Sequence, residues 1–184
     1  MRIVPTPLSD AVLATGMPAF HDHRGSFRRV FCQSLFSAES CPFEVRQINL
    51  SRTTTQGALR GMHFQQGQAA EDKLVTCLKG EIFDVAVDLR AGSDTYGAWH
   101  GVKLSGETPQ SFLIPKGFAH GFQALTADVE MLYLMSADYD PTAEAGLHYA
   151  CPKTAIKWPL PIVDLSERDK THPQLDDITP VSLS

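Results

Sequence analysis

At 184 residues the chain is long enough to bury one substantial core, and nothing in it argues for a second domain. With 43% hydrophobic and 20% charged residues it has an ordinary globular composition, and a formal net charge of −5 gives no overall basic field for nucleic acid. No apolar run approaches membrane-spanning length and Met1-Arg2-Ile3-Val4-Pro5 lacks the apolar core of a secretory leader, so a cytoplasmic protein with neither membrane nor nucleic acid as partner is expected.

From the N-terminus, His21-Asp22-His23-Arg24-Gly25 reads as a polar turn and Gln33 to Ser40 as a short helix. Further turn clusters follow at Ser51 to Gly57, Gly67 to Asp72, Ala91 to Gly97, Ser105 to Pro109, Thr126-Ala127-Asp128 and Asp138 to Gly146. Between them lie short runs rich in Val, Ile, Phe and Leu, a rhythm that predicts an all-β sandwich or barrel over residues 1–184. Alternation places Phe83, Val85, Val87 and Leu89 on one face of a strand, and Met131, Tyr133 and Met135 on one face of another. Near the C-terminus Ser166-Glu167-Arg168-Asp169 reads as a capped helical turn. The four cysteines, Cys32, Cys41, Cys77 and Cys151, form no C-x-x-C pair and are expected to be reduced thiols.

Two segments carry chemistry-bearing side chains in this apolar, glycine-punctuated pattern: Leu59-Arg60-Gly61-Met62-His63-Phe64-Gln65 and Ile114-Pro115-Lys116-Gly117-Phe118-Ala119-His120-Gly121-Phe122. His63 is either a satisfied strand histidine or a general base. Gly61 before it signals a bulge or close backbone approach, and Arg60 is costly to bury without a role. Pro115-x-Gly117-x-x-His120 fits the second metal-binding segment of a cupin barrel, but His63-Phe64-Gln65 supplies one imidazole where that motif needs two, which argues against a metal.

Tyr133, between two methionines, is either a core residue or an acid opposite His63. Tyr139 is either a turn anchor or a stacking platform. Arg24, Arg60 and Lys73 are solvated charges unless the fold gathers them around an anion such as a diphosphate. Asp169 is either part of the helix cap or the carboxylate that orients His63.

Taken together these segments resemble the dTDP-4-dehydrorhamnose 3,5-epimerase family. The pieces that carry the resemblance are Asp22-x-Arg24-Gly25-x-Phe27, Gln47-x-Asn49-x-Ser51, the His63 segment, Lys73-Leu74-Val75, Gly80 to Arg90, the His120 segment, Tyr133, Tyr139-x-Pro141, Glu144, Ile156-x-Trp158-Pro159 and Leu165-Ser166-x-x-Asp169. The resemblance implies a cupin-type jelly-roll barrel with a few short peripheral helices, usually a homodimer with N-terminal strands exchanged. It also implies cofactor-free epimerisation of a nucleotide-diphosphate-linked 4-keto-6-deoxy sugar, without metal.

By position His63 matches the family's base, Asp169 its partner and Tyr133 the acid, while Lys73 matches the cation beside the C4 oxygen and His120 a sugar-pocket residue. Arg24, Arg60, Gln47 and Asn49 match nucleotide or diphosphate contacts, Glu144 a further binding position and Tyr139 the base-stacking aromatic. Two positions depart from the pattern: Arg28-Arg29 stands where an acid is usual, and Ile48 where the family often has Asp. If both border the nucleotide, they alter which base or sugar is held. A CDP-linked or other substrate, inversion at C3 or C5 alone, and a non-catalytic sugar-nucleotide-binding cupin are the alternatives.

Overall fold

The structure, a computed structural model, describes residues 1–183. Its elements in chain order are β1 (Arg2–Pro5), β2 (Val12–Thr15), β3 (Ala19–Asp22), β4 (Gly25–Arg28), α1 (Gln33–Ala38), β5 (Gln47–Thr53), β6 (Leu59–Gln65), β7 (Lys73–Lys79), β8 (Glu81–Asp88), β9 (Trp99–Ser105), β10 (Gln110–Ile114), β11 (Phe118–Ala124), β12 (Val129–Met135), β13 (Glu144–Gly146) and α2 (Glu167–Lys170). Single turns of 3-10 helix lie at Gly67–Ala69 and Leu175–Asp177.

Eight of these strands, β5 to β12, form two antiparallel sheets. One contains the order β10-β7-β12-β5 and the other β6-β11-β8-β9. The pairs β5/β12, β6/β11, β7/β10 and β8/β9 are those of one long hairpin wrapped around a core, which is the jelly-roll topology. The expected cupin-type barrel is therefore present, with β1 and β2 extending the first sheet beside β10 and β13 extending the second beside β6. The strands β1 and β2 pair within the first sheet, and β3 and β4 form a separate two-stranded hairpin whose residues 19–27 are all exposed.

Side-chain alternation sorts the strands between three apolar layers. Val75, Cys77, Ile82, Ala86, Phe112, Phe118, Phe122 and Met131 fill one end of the barrel interior. The expected stripe of Phe83, Val85, Val87 and Leu89 faces the opposite way, where the C-terminal segment covers it with Leu147, Cys151, Ile156, Leu175, Ile178 and Val181. A third layer packs Phe36 of α1 and Phe43 against Leu74, Leu113 and Leu134 on the outer face of the first sheet. The second sheet is thus buried on both faces, so its strands read as nearly continuous apolar runs and the inward-facing polar residues stand out.

Candidate active site

The other end of the barrel is polar and open. A cleft of about 550 Å³ lies between the sheets, a volume suited to a small-molecule ligand. Its walls follow from the strand period. On β6, Met62 and Phe64 turn into the outer apolar layer, which leaves His63 to face the cleft. On β12, Met131 is buried in the barrel core, and Tyr133 and Met135 continue the same face into the cleft.

His63 is 27% exposed on its side chain, and its Nε2 lies 2.7 Å from Asp169 Oδ1. The other carboxylate oxygen accepts the Gly61 N–H at 3.1 Å. Burial alone would raise the Asp169 carboxyl, but the bonds from His63 and Gly61 bring it down to about 2, so it is ionised at neutral pH. Asp169 also donates its backbone N–H to Ser166 Oγ at 3.1 Å, closing the cap of α2. Asp169 therefore caps the helix through its backbone and meets His63 through its carboxylate. A close backbone approach explains Gly61: at φ +121°, a Cβ there would stand 2.6 Å from Gly121 Cα. The pairing of β6 with β11 shifts register at that point, which is the bulge expected from the sequence.

Tyr133 lines the same cleft from the opposite sheet. Its hydroxyl lies 3.3 Å from Ser51 Oγ, and burial pushes the phenol above its ordinary range despite that bond. His120 sits in register with His63, bonds Asp84 Oδ1 through Nε2 at 2.7 Å and meets the Tyr133 ring edge-on at 6.1 Å. Asp84 is fully buried and its second oxygen has no hydrogen-bond partner. Lys73 pairs with buried Glu71 at 3.1 Å and donates to the His63 carbonyl at 3.1 Å. Two of three ammonium donors are thereby used.

Towards the mouth, Arg60 is held by bonds from Nε to Thr53 Oγ1 and from Nη2 to the Arg52 carbonyl. Gln47 donates to Asn49 Oδ1 and accepts the backbone N–H of Tyr139. The Tyr139 ring is 54% exposed at the rim, and its hydroxyl donates to Glu144 at 2.9 Å. Both oxygens of Glu144 also accept from Arg168 at 2.8 Å, and Arg168 reaches within 3.3 Å of His63 Nε2.

Ten of the eleven residues expected from the sequence therefore line one cleft, and Arg24 does not. It sits on the exposed hairpin of β3 and β4, paired with Asp22 at 2.6 Å. Ile48 is not in the cleft either: β5 turns Gln47, Asn49 and Ser51 inwards, so Ile48 points to the opposite face and is 63% exposed. Sequence reasoning missed Glu71, Asp84, Ser51 and Arg168. An acid in the inward apolar series Ile82-Asp84-Ala86 was the one signal available for Asp84; Glu71 stands two residues before its partner Lys73, and Ser51 and Arg168 are defined by partners distant in the chain. His172, also unanticipated, lies behind the dyad and is held below the usual imidazole range by burial and by the neighbouring His63.

The family model for dTDP-4-dehydrorhamnose 3,5-epimerase matches residues 5–177. The chain belongs to that family. It is accordingly a nucleotide-sugar epimerase, an isomerase. The curated dTDP-4-dehydrorhamnose 3,5-epimerase of Escherichia coli strain K12 is 40% identical over 185 residues, covering 100% of this chain and 99% of that one. Among solved structures, the 3,5-epimerase RmlC from Legionella pneumophila Philadelphia 1 in complex with dTDP-4-keto-L-rhamnose superposes with a TM-score of 0.91 at 40% identity, covering 97% of this chain and 94% of that one. A dTDP-4-dehydrorhamnose 3-epimerase of Streptomyces niveus is 39% identical over 150 residues, covering 81% of this chain and 72% of that one. Among the described residues no helix is long and apolar enough to cross a membrane.

Proposed function

We propose that this epimerase inverts both C3 and C5 of dTDP-4-dehydro-6-deoxy-D-glucose to give dTDP-4-dehydro-L-rhamnose, working as a single domain. The observation that carries the reading is the opposition of the His63–Asp169 dyad and Tyr133 across one cleft, from two different sheets. A C4 ketone acidifies the hydrogens on C3 and C5 because the electrons left behind spread onto the oxygen as an enolate. With Nε2–H donated to Asp169, His63 takes the proton on Nδ1, and the ionised carboxylate stabilises the imidazolium that forms. The remaining donor of Lys73 stabilises charge at the C4 oxygen. Tyr133 then protonates the carbon from the other face, and burial keeps its phenol in the protonated form that this step needs. Exchange of both groups with solvent resets them, so no redox cofactor is required.

The rim supports the nucleotide half of the substrate. Arg60 and Arg168 are anchored guanidinium groups suited to a diphosphate, and Tyr139 offers an exposed ring face to the base, with Gln47, Asn49 and Glu144 as polar contacts. His120, buttressed by Asp84, contacts the sugar. We further propose a homodimer in which the hairpin of β3 and β4 brings Arg24 to the partner's cleft. Its exposed Phe20 and Phe27, and the apolar Ile48 and Leu50 on edge strand β5, support such a contact. Four unpaired thiols suit a reducing cytoplasm.

The test is incubation with dTDP-4-dehydro-6-deoxy-D-glucose in deuterated water, followed by NMR. Deuterium at both C3 and C5 is the expected result, and none at either position would remove the assignment. Label at C3 alone would instead match the activity named for the Streptomyces niveus relative.

A further inference from the structure

His172 is placed by a gap in the strand beside His63. Gly146 on β13 is the register partner of His63, and a Cβ at Gly146 would run into the His172 ring. The imidazole fills that gap and meets the His63 ring edge-on at 5.5 Å. Its Nε2 is buried without a hydrogen bond, with Asp169 Oδ1 at 3.6 Å, beyond bonding distance. An unsatisfied buried imidazole nitrogen is uncommon and asks for a partner.

The ligand-capable atoms of His63, Asp169 and His172 all lie within 4.8 Å of one another. Two imidazoles and one carboxylate are a donor set that zinc takes readily in a tetrahedral site. Bonds of about 2.0–2.1 Å in that geometry set neighbouring donors about 3.3 Å apart. The Asp169–His172 spacing of 3.6 Å is near that value, and the His63–Asp169 spacing of 2.7 Å would need only a small opening. His172 also borders a second depression, beside Glu144 and Asp177. Arg168 stands nearby with Nε 3.7 Å from Asp169 Oδ1, a positive charge that weakens cation binding, although both Glu144 oxygens hold it.

We propose that His63, Asp169 and His172 form a site for a zinc-class divalent cation, which switches the epimerase off: with the metal on His63 Nε2 the imidazole proton sits on Nδ1, the atom that must be free to act as the base. The inhibitory half rests on the reading of His63 as that base. Binding itself does not.

Titration of the purified protein with zinc chloride, followed by calorimetry, should show one ion per chain, and His172→Gln should weaken it by about tenfold or more. Cobalt(II) added to the unaltered protein should give visible tetrahedral d–d bands without thiolate-to-cobalt charge transfer, a readout that needs no variant. No binding, thiolate bands, or equal affinity in His172→Gln would overturn the site. In the deuterium-exchange assay zinc should block the unaltered enzyme, EDTA should restore it, and His172→Gln should lose little of its own zinc-free rate at the same zinc concentration. Zinc bound through His172 with exchange unaffected would overturn the inhibition. Failure of the base reading would appear separately, as full exchange in metal-free His63→Asn.

Discussion

Asp169 holds three partners at once: the Ser166 hydroxyl through its backbone, and Gly61 and His63 through its carboxylate. Because its carboxyl falls from 3.8 to about 2 in the folded chain, it stabilises the fold above about pH 4 and loses that contribution as pH drops through 2. The stability difference between the protein and Asp169→Asn should shrink by about 2 kcal/mol between pH 5 and pH 2, read from urea midpoints. A constant difference would mean that the carboxyl is not depressed. Tyr133 gives a second residue-level expectation. Tyr133→Phe removes the hydroxyl and its contact with Ser51 while leaving the His63 dyad intact. It should lose turnover by about 10²–10⁴-fold yet still wash deuterium into the substrate from the His63 side, and full turnover would refute the assignment of the acid.

At the level of elements, the sequence was most legible where period and punctuation agree. The stripes of β8 and β12, the short helix from Gln33 and the cap at Ser166 all appear where alternation and capping chemistry place them. Period 2 also fixes the face of Ile48. With Gln47 and Asn49 facing in, Ile48 has to face out, so its departure from the family pattern does not touch the cleft of its own protomer. What stayed hidden were the pairings. Asp84 with His120 and Arg168 with Glu144 are set by strand register and by a C-terminal segment folding back, which single residues do not announce, whereas Glu71 stands only two residues from its partner Lys73. The bulge at Gly61 is the element on which the site geometry rests. A methyl group there meets the Gly121 backbone at 2.6 Å in a left-handed conformation. Gly61→Ala should cost at least about 2 kcal/mol and lower both melting temperature and turnover. Gly67→Ala is the control, since its φ is also positive but its Cβ position is open, and it should cost only about 1 kcal/mol.

For the whole molecule, the feature that one protomer leaves unexplained is the hairpin of β3 and β4. It projects from the barrel with Phe20 63% and Phe27 69% exposed and carries Arg24 away from its own cleft. Apolar rings on a solvent-exposed ribbon and an uncovered edge at β5 are liabilities for a monomer and suit contact with a second copy. If the partner supplies Arg24, then a site needs His63 from one chain and Arg24 from the other. Arg24→Ala and His63→Ala homodimers should each be weakly active or inactive, the first through a raised KM and the second through a lost kcat. When the two variants are co-expressed, random pairing puts about half the protein into mixed dimers, each with one intact site of two, so about a quarter of full activity should return. If each site uses its own Arg24, mixed dimers contain no intact site and the co-expressed sample shows only the average of its parents. Light scattering on the same samples supplies the necessary control, because a mixture that runs as monomers removes the shared site altogether.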